Sequence, residues 1–161
     1  MLSEKMLAEL NKQITAEIYS AYLYLSMSAS LKNKNFGGMS HWFKAQWREE
    51  LSHGLKLFDF VTSQGGLVEL GSIEKPKQVW ETPLEAFSDA LAHEKKVTGM
   101  INELVELSVQ ENDSVTQEML KWFVKEQEEE EETASGVVEK IKNTNDIMEL
   151  DNELGKRVFK D

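Results

Sequence analysis

Glu50 and His53 form a Glu-x-x-His pair, a combination of a carboxylate and an imidazole that can bind a metal ion. On a helix, residues three apart lie on one face with their Cβ atoms about 5–6 Å apart, so a carboxylate and an imidazole can bind one ion together. An apolar stripe of Phe43, Leu57 and Val61 passes through both positions, which predicts that the pair points into the core. A buried carboxylate needs a cationic partner, because leaving its charge unpaired costs several kcal/mol. The pair therefore predicts a metal site.

Composition limits the function classes that remain open. With 161 residues, 40% of them hydrophobic and 29% charged, the chain is expected to form one globular domain over residues 1–161. A formal charge of -11 argues against nucleic-acid binding, which needs clustered Lys and Arg, and favours the attraction of cations. The sequence contains no Cys, so thiolate ligands and iron–sulfur clusters are excluded and oxygen and nitrogen must hold any metal. No signal peptide or membrane span is expected, and a cytoplasmic location is the expectation.

Helical periodicity extends over most of the chain. Apolar residues recur every three to four positions in four long segments, which predicts helices at about residues 4–32, 38–64, 83–111 and 114–142. Residues 67–81 lack this period but are rich in apolar residues, so they are expected to run along a four-helix bundle and join parallel helix ends. A short fifth helix at about residues 146–159 is expected to dock on the bundle or on another subunit.

Polar residues interrupt the apolar stripe of every long helix near its middle. The acidic run of residues 126–132 goes almost twice around a helix, so some of its side chains must point inward. We expect Gln127 and Glu130 to face the core, with Glu126 and Glu129 at its edge. In an antiparallel bundle these helix middles meet at one level, and the polar residues collected there are Glu17, Tyr24, Glu50, His53, Glu94, Gln127 and Glu130. Several carboxylates with one imidazole suit two iron ions that share a carboxylate, and zinc or manganese could bind there too.

Taken together, these residues resemble the ferroxidase centre of ferritins, and the match is closest to bacterial non-haem ferritins. The motifs that carry the resemblance are Glu17 with Tyr24, Glu49-Glu50-x-x-His53, Glu94, and Glu126-Gln127-x-x-Glu130 with Trp122 upstream. The resemblance covers the whole chain, including the crossover and the fifth helix. It implies an all-α fold, namely an up-down-down-up four-helix bundle with a long crossover loop and a short fifth helix.

The resemblance also implies roles for the site residues. A first iron would bind Glu17, Glu50 and His53, and a second would bind Glu50, Glu94 and Glu130 with Gln127 beside it. A third, bacterial-type site is implied at Glu49, Glu126, Glu129 and Glu130. Tyr24 and Trp122 match aromatic residues that supply electrons, although a Trp next to Phe123 is more often part of a core. His41 and His93 match no ligand, and we expect both at the surface or behind the ligands.

The function implied by the resemblance is iron storage with ferroxidase activity. Fe(II) would be oxidised to Fe(III) by dioxygen or hydrogen peroxide and kept as a ferric mineral inside a homo-oligomeric cage of about 24 chains. In ferritins the fifth helix packs around a fourfold axis, and Leu150, Leu154 and Val158 would form that face. No haem is expected, because Ser52 stands at the position of the methionine haem ligand of bacterioferritins. The alternative is a non-catalytic acidic bundle that binds or buffers divalent metals.

Overall fold

The computed structural model describes residues 1–160, and most of these residues are helical. The helices are α1 (Glu4–Asn33), α2 (Gly37–Ser63), α3 (Pro83–Gln110), α4 (Ser114–Asn143) and α5 (Ile147–Leu154). Residues 1–160 contain no strand. No helix in this range has both the length and the apolarity to cross a membrane. The all-α fold and the four long helices predicted from the periodicity are confirmed.

Local sequence signals set the helix ends. The Thr82 hydroxyl accepts a hydrogen bond from the Glu85 backbone N–H at 3.1 Å, and proline occupies the first helical position of α3. At the start of α4 the cap is Asp113, whose side chain accepts a hydrogen bond from the Thr116 backbone N–H at 3.0 Å. After α2 the chain turns at Gly65, whose φ of 75° is a left-handed conformation that glycine adopts without steric cost.

Two helical hairpins, α1 with α2 and α3 with α4, form the bundle, and residues 64–82 join them. This crossover is ordered along α1, as its apolar composition predicts. The Asn11 side chain donates to the Leu67 carbonyl at 3.0 Å, and the Trp80 backbone N–H donates to the Ser30 hydroxyl at 3.0 Å. Because the Trp80 side chain is also buried, the crossover contributes to the core.

The bundle core has two apolar parts with a polar layer between them. One part is built around Phe43 and Phe87, and the other around Leu57 and Phe123. Along each long helix, the change from one part to the other occurs where buried polar residues interrupt the stripe. The polar residues that interrupt the apolar stripes in the sequence therefore form the polar layer of the folded bundle.

The fifth helix is shorter than predicted. It ends at Leu154, whereas the sequence pattern predicts helix to about residue 159. Leu150 and Leu154 are buried in the core of their own chain, but Val158 lies beyond the helix end and is 80% exposed. The expectation that these three residues form one helical face is wrong, because the chain leaves the helix at Gly155 before the pattern can continue.

This short helix docks on the N-terminus of α2. The Asp151 carboxylate accepts hydrogen bonds from the Gly38 backbone N–H at 3.1 Å and from the Met39 backbone N–H at 2.8 Å. These two bonds cap α2. The backbones approach closely, since a Cβ added to Gly38 would lie 1.7 Å from the Asp151 carbonyl oxygen. Docking stabilises a helix of 8 residues that is too short to hold on its own in water.

Candidate metal centre

The polar layer brings together buried side chains from all four long helices. Single ligand atoms from these residues lie within 4.8 Å of one another in three groups: Glu17 with Glu50 and His53, Glu50 with Glu94 and Glu130, and His53 with Glu126 and Glu130. All of these residues are buried. The first two groups are the residue sets that the resemblance to ferritins implies for two ions. Glu50 belongs to both groups, which is the geometry that a bridging carboxylate requires.

Two ligand atoms in this layer lack hydrogen bonds. Neither Glu17 Oε2 nor His53 Nδ1 has a partner, although both atoms are buried. His53 Nδ1 lies 3.3 Å from Glu50 Oε2 without hydrogen-bond geometry, and the other ring nitrogen, Nε2, lies 3.4 Å from Glu126 Oε1. An unsatisfied buried polar atom costs about 1–3 kcal/mol, so two in one group indicate a missing partner. Both atoms are of the types that bind metal cations.

Buried glutamine side chains hold the glutamates in place. Their amide groups donate from Gln13 to Glu17 at 3.1 Å, from Gln46 to Glu50 at 3.0 Å and to Glu130 at 2.5 Å, and from Gln127 to Glu94 at 3.1 Å. Gln13 and Gln46 were not predicted from the sequence. Each precedes a buried glutamate by four residues, a spacing that puts both side chains on one helix face and could have identified them.

The two aromatic residues predicted near the centre lie in different surroundings. The Tyr24 hydroxyl donates a short hydrogen bond to Glu94, and burial, together with the charges of Glu94 and Glu50, raises the pKa of Tyr24 well above its usual value. Trp122 is 38% exposed, and its ring meets the His53 ring edge-on at a centroid distance of 5.3 Å. Trp122 is therefore not a core residue, and it connects the centre to the surface.

The carboxylates resist ionisation without a cation. Burial raises the pKa of Glu130 to about 8, and repulsion from Glu94 and Glu49 adds to the shift. Burial raises the pKa of Glu94 to about 6, against hydrogen bonds from Tyr24 and a glutamine that lower it. The pKa of Glu50 is raised well above its usual range by burial and by neighbouring carboxylates. A layer of this kind favours positive charge, which a bound metal ion supplies.

The residues proposed for a third site are not brought together as one group. Glu126, which the sequence places at the edge of the core, is buried beside His53, whereas Glu129 is exposed. Within residues 1–160, Glu49 and Glu129 belong to none of the three candidate ligand groups. Glu49 is instead paired with the Arg157 guanidinium from the C-terminal segment.

The two remaining histidines lie outside the candidate ligand groups. His41 Nε2 is 2.7 Å from the Arg157 carbonyl oxygen. His93 Nε2 is 2.7 Å from the Ser20 hydroxyl, and burial, followed by the charge of Lys96, lowers the pKa of His93 to about 4.

Comparison with known proteins gives a consistent set of relatives. A family model described as a ferritin-like domain matches residues 7–144. A bacterial non-heme ferritin of Bacteroides fragilis (strain 638R) is 41% identical over 159 residues, covering 98% of this chain and 100% of the relative. One from Staphylococcus aureus (strain USA300) is 33% identical over 163 residues, covering 99% of this chain and 98% of the relative.

Solved structures give the same result for the fold. An open pore ferritin from the hyperthermophilic archaeon Archaeoglobus fulgidus is 46% identical, covers 98% of this chain and 100% of its own, and superposes with a TM-score of 0.96. A humanized archaeal ferritin is 47% identical, with 100% of both chains covered and a TM-score of 0.97.

Proposed function

Because this chain belongs to the ferritin family, we propose that it stores iron and oxidises Fe(II) to Fe(III) in the polar layer of its bundle. The observation that carries the proposal is the pair of buried ligand atoms without hydrogen bonds, Glu17 Oε2 and His53 Nδ1, in one group with Glu50. A cation bound there satisfies both atoms and offsets the repulsion among the surrounding carboxylates.

The proposed di-iron centre holds its two substrate ions through one shared carboxylate. The first position uses Glu17, Glu50 and His53, and the second uses Glu50, Glu94 and Glu130, with Gln127 beside it. Each ion loses one electron, so two neighbouring ions supply the two electrons that convert dioxygen to hydrogen peroxide or hydrogen peroxide to water. Carboxylate oxygens favour Fe(III) over Fe(II), because the ion of higher charge gains more from anionic ligands.

The chain's part in this reaction is to position ligands and to release protons. The Glu126 carboxylate beside His53 Nε2 orients the imidazole, which leaves Nδ1 for the metal. Glutamine amides fix the carboxylates before any ion arrives, and the Tyr24 hydroxyl fixes Glu94. Carboxyl groups with raised pKa values, Glu50 and Glu130, give up their protons as cations bind.

Two aromatic residues are proposed to supply electrons when the two irons cannot complete the reduction of the oxidant. Tyr24 reaches the second position through its hydrogen bond to Glu94. Trp122 reaches the first position through its ring contact with His53. Tyr24 is buried and would donate its electron out of contact with solvent. Trp122 is partly exposed and could then be reduced again by reductants in solution.

The wider proposal concerns storage. We propose that about 24 chains form a hollow homo-oligomer in the cytoplasm and that ferric mineral collects inside it, without haem, nucleic acid or membrane partners. The formal charge of -11 supports this role, since carboxylates lining an enclosed space concentrate cations. A third iron position at Glu49, Glu126, Glu129 and Glu130 is part of the proposal.

Oxidation of Fe(II) in air, followed by the ferric absorbance, tests the proposal. Glu50→Ala and His53→Ala are expected to abolish the rapid phase while leaving helix content unchanged, because both side chains belong to the polar layer and to neither apolar part of the core. The matched control is Glu128→Ala, which removes an exposed carboxylate from the same acidic run. Rapid oxidation at the parent rate in both site variants would contradict the ferroxidase assignment and favour an acidic bundle that only binds metals.

A further inference from the structure

The C-terminal segment, residues 155–160, folds back onto the bundle beside the metal centre. Its anchor is Arg157, whose side chain is only 18% exposed. The guanidinium donates to Glu49 Oε2, to Gln46 Oε1 at 2.9 Å and to the Trp42 carbonyl at 3.3 Å. It also lies over the Trp42 ring, 4.1 Å from the centroid. One cation is thus held by a carboxylate, an amide, a carbonyl and an aromatic face.

The end of the segment reaches the neighbouring carboxylates. Lys160 Nζ lies 4.0 Å from Glu126 Oε1 and 3.8 Å from Glu129 Oε2. This ammonium is 62% exposed, so its ion pairs contribute little to stability. Arg157, which is mostly buried and makes several hydrogen bonds, therefore holds the segment more firmly than Lys160 does.

The contacts of this segment coincide with the proposed third iron position. Arg157 pairs directly with Glu49, and Lys160 lies near two further carboxylates of that position. The fourth, Glu130, accepts a hydrogen bond from Gln46, whose carbonyl oxygen is itself held by Arg157. The two cationic residues of this segment therefore contact three of the four carboxylates directly and the fourth through a glutamine side chain.

We propose that Arg157 is a built-in counter-ion at the third iron position, so that a metal ion binds at Glu49 only after residues 155–160 have moved away. The inference rests on the proposed metal centre and adds to it a residue that sets how many ions the centre holds. A guanidinium stays protonated at all physiological pH values, so it leaves Glu49 by displacement and not by losing its charge. Binding is reciprocal, so a third ion would also release the segment.

Equilibrium titration with Zn(II), which carboxylate and imidazole ligands bind without redox chemistry, tests this inference. Arg157→Gln is compared with Lys156→Gln, which removes the same charge from the adjacent exposed position. We expect Arg157→Gln to bind one more tightly held ion per chain than Lys156→Gln or the parent. Adding Glu49→Gln to Arg157→Gln is expected to remove that extra ion. Equal counts in Arg157→Gln and Lys156→Gln would overturn the inference.

A second comparison keeps the test decisive if Arg157→Gln does not fold. Glu49→Gln alone is expected to leave the ion count of the parent unchanged, because Glu49 is occupied by Arg157. Loss of one tightly bound ion in that variant would overturn the inference. Glu50→Ala tests the proposed centre separately: an unchanged count there contradicts the centre itself, whatever the two tail variants show.

Discussion

Replacing Glu130 by Gln is expected to stabilise the metal-free protein at neutral pH and to weaken its stabilisation by metal ions. The substitution keeps the size of the side chain and an oxygen that can accept the hydrogen bond from Gln46. It removes only the ability to carry a negative charge. The substitution is thus expected to raise stability without metal and to reduce the stability gained from metal. General damage to the fold would not raise the stability of the metal-free protein.

The magnitude follows from the pKa of Glu130, which burial first, and then repulsion from Glu94 and Glu49, raise from 4.5 to about 8. Between these pH values the unfolded chain ionises and the folded chain does not. The free energy of unfolding then falls by about 1.4 kcal/mol for each pH unit, and the stability present below pH 4.5 is progressively lost as pH rises. At pH 7 the loss amounts to about 3 kcal/mol. The Gln variant avoids it.

Thermal unfolding with a chelator at pH 7 measures this difference. For a chain of this size, about 3 kcal/mol corresponds to a rise in Tm of roughly 6–12 °C, and the rise should disappear at pH 4. Glu129→Gln, which alters an exposed carboxylate one position away, should leave Tm nearly unchanged. Zn(II) at a hundred times its Kd should add about 3 kcal/mol to the parent and clearly less to Glu130→Gln. A lower Tm for metal-free Glu130→Gln would contradict the raised pKa of Glu130, and equal Zn(II) effects in parent and variant would contradict its role as a metal ligand.

Three further predictions concern residues around the centre and the ends of the chain. Gln46→Leu should slow Fe(II) oxidation by about 10–100-fold at unchanged helix content, because Glu50 and Glu130 lose a shared donor; a parent-like rate would exclude this positioning role. Asp151→Ala should lower the free energy of unfolding by about 1 kcal/mol in urea, because α2 loses its cap, whereas exposed Asn152→Ala should not. Deletion after Asn145 should shift the sedimentation of the apo-protein from a large particle to smaller species more than it lowers helix content, and unchanged sedimentation would contradict a role of α5 in assembly.

The bundle and its polar layer could be predicted because both follow from local periodicity. A charged residue such as Glu17 or Glu94 in the middle of an apolar stripe must be buried, and its height along the helix follows from its position in the sequence. That these residues meet follows from placing four helix middles at one level, whereas their division into two groups that share Glu50 was implied by the resemblance to ferritins. The third site was less predictable, because a residue predicted at the edge of the core, such as Glu129, is buried only if another part of the chain covers it.

The C-terminal segment could not be predicted for the same reason. The apolar period continues past Leu154 to Val158, but the helix ends at Gly155, where α5 packs against the start of α2. The pairing of Arg157 with Glu49 joins residues 108 positions apart through an irregular segment, and periodicity carries no information about such a contact. Charge complementarity alone would not have selected Arg157 among the 18 basic residues.

We expect the polar layer to bind two metal ions that share Glu50. Anomalous scattering from crystals soaked with Fe(II) or Zn(II) tests it most directly, because it locates each ion among its ligands. Two peaks are expected inside the bundle, one beside Glu17 and His53 and the other beside Glu94 and Glu130. Ions bound only at surface carboxylates, with no peak between the two apolar parts of the core, would contradict it.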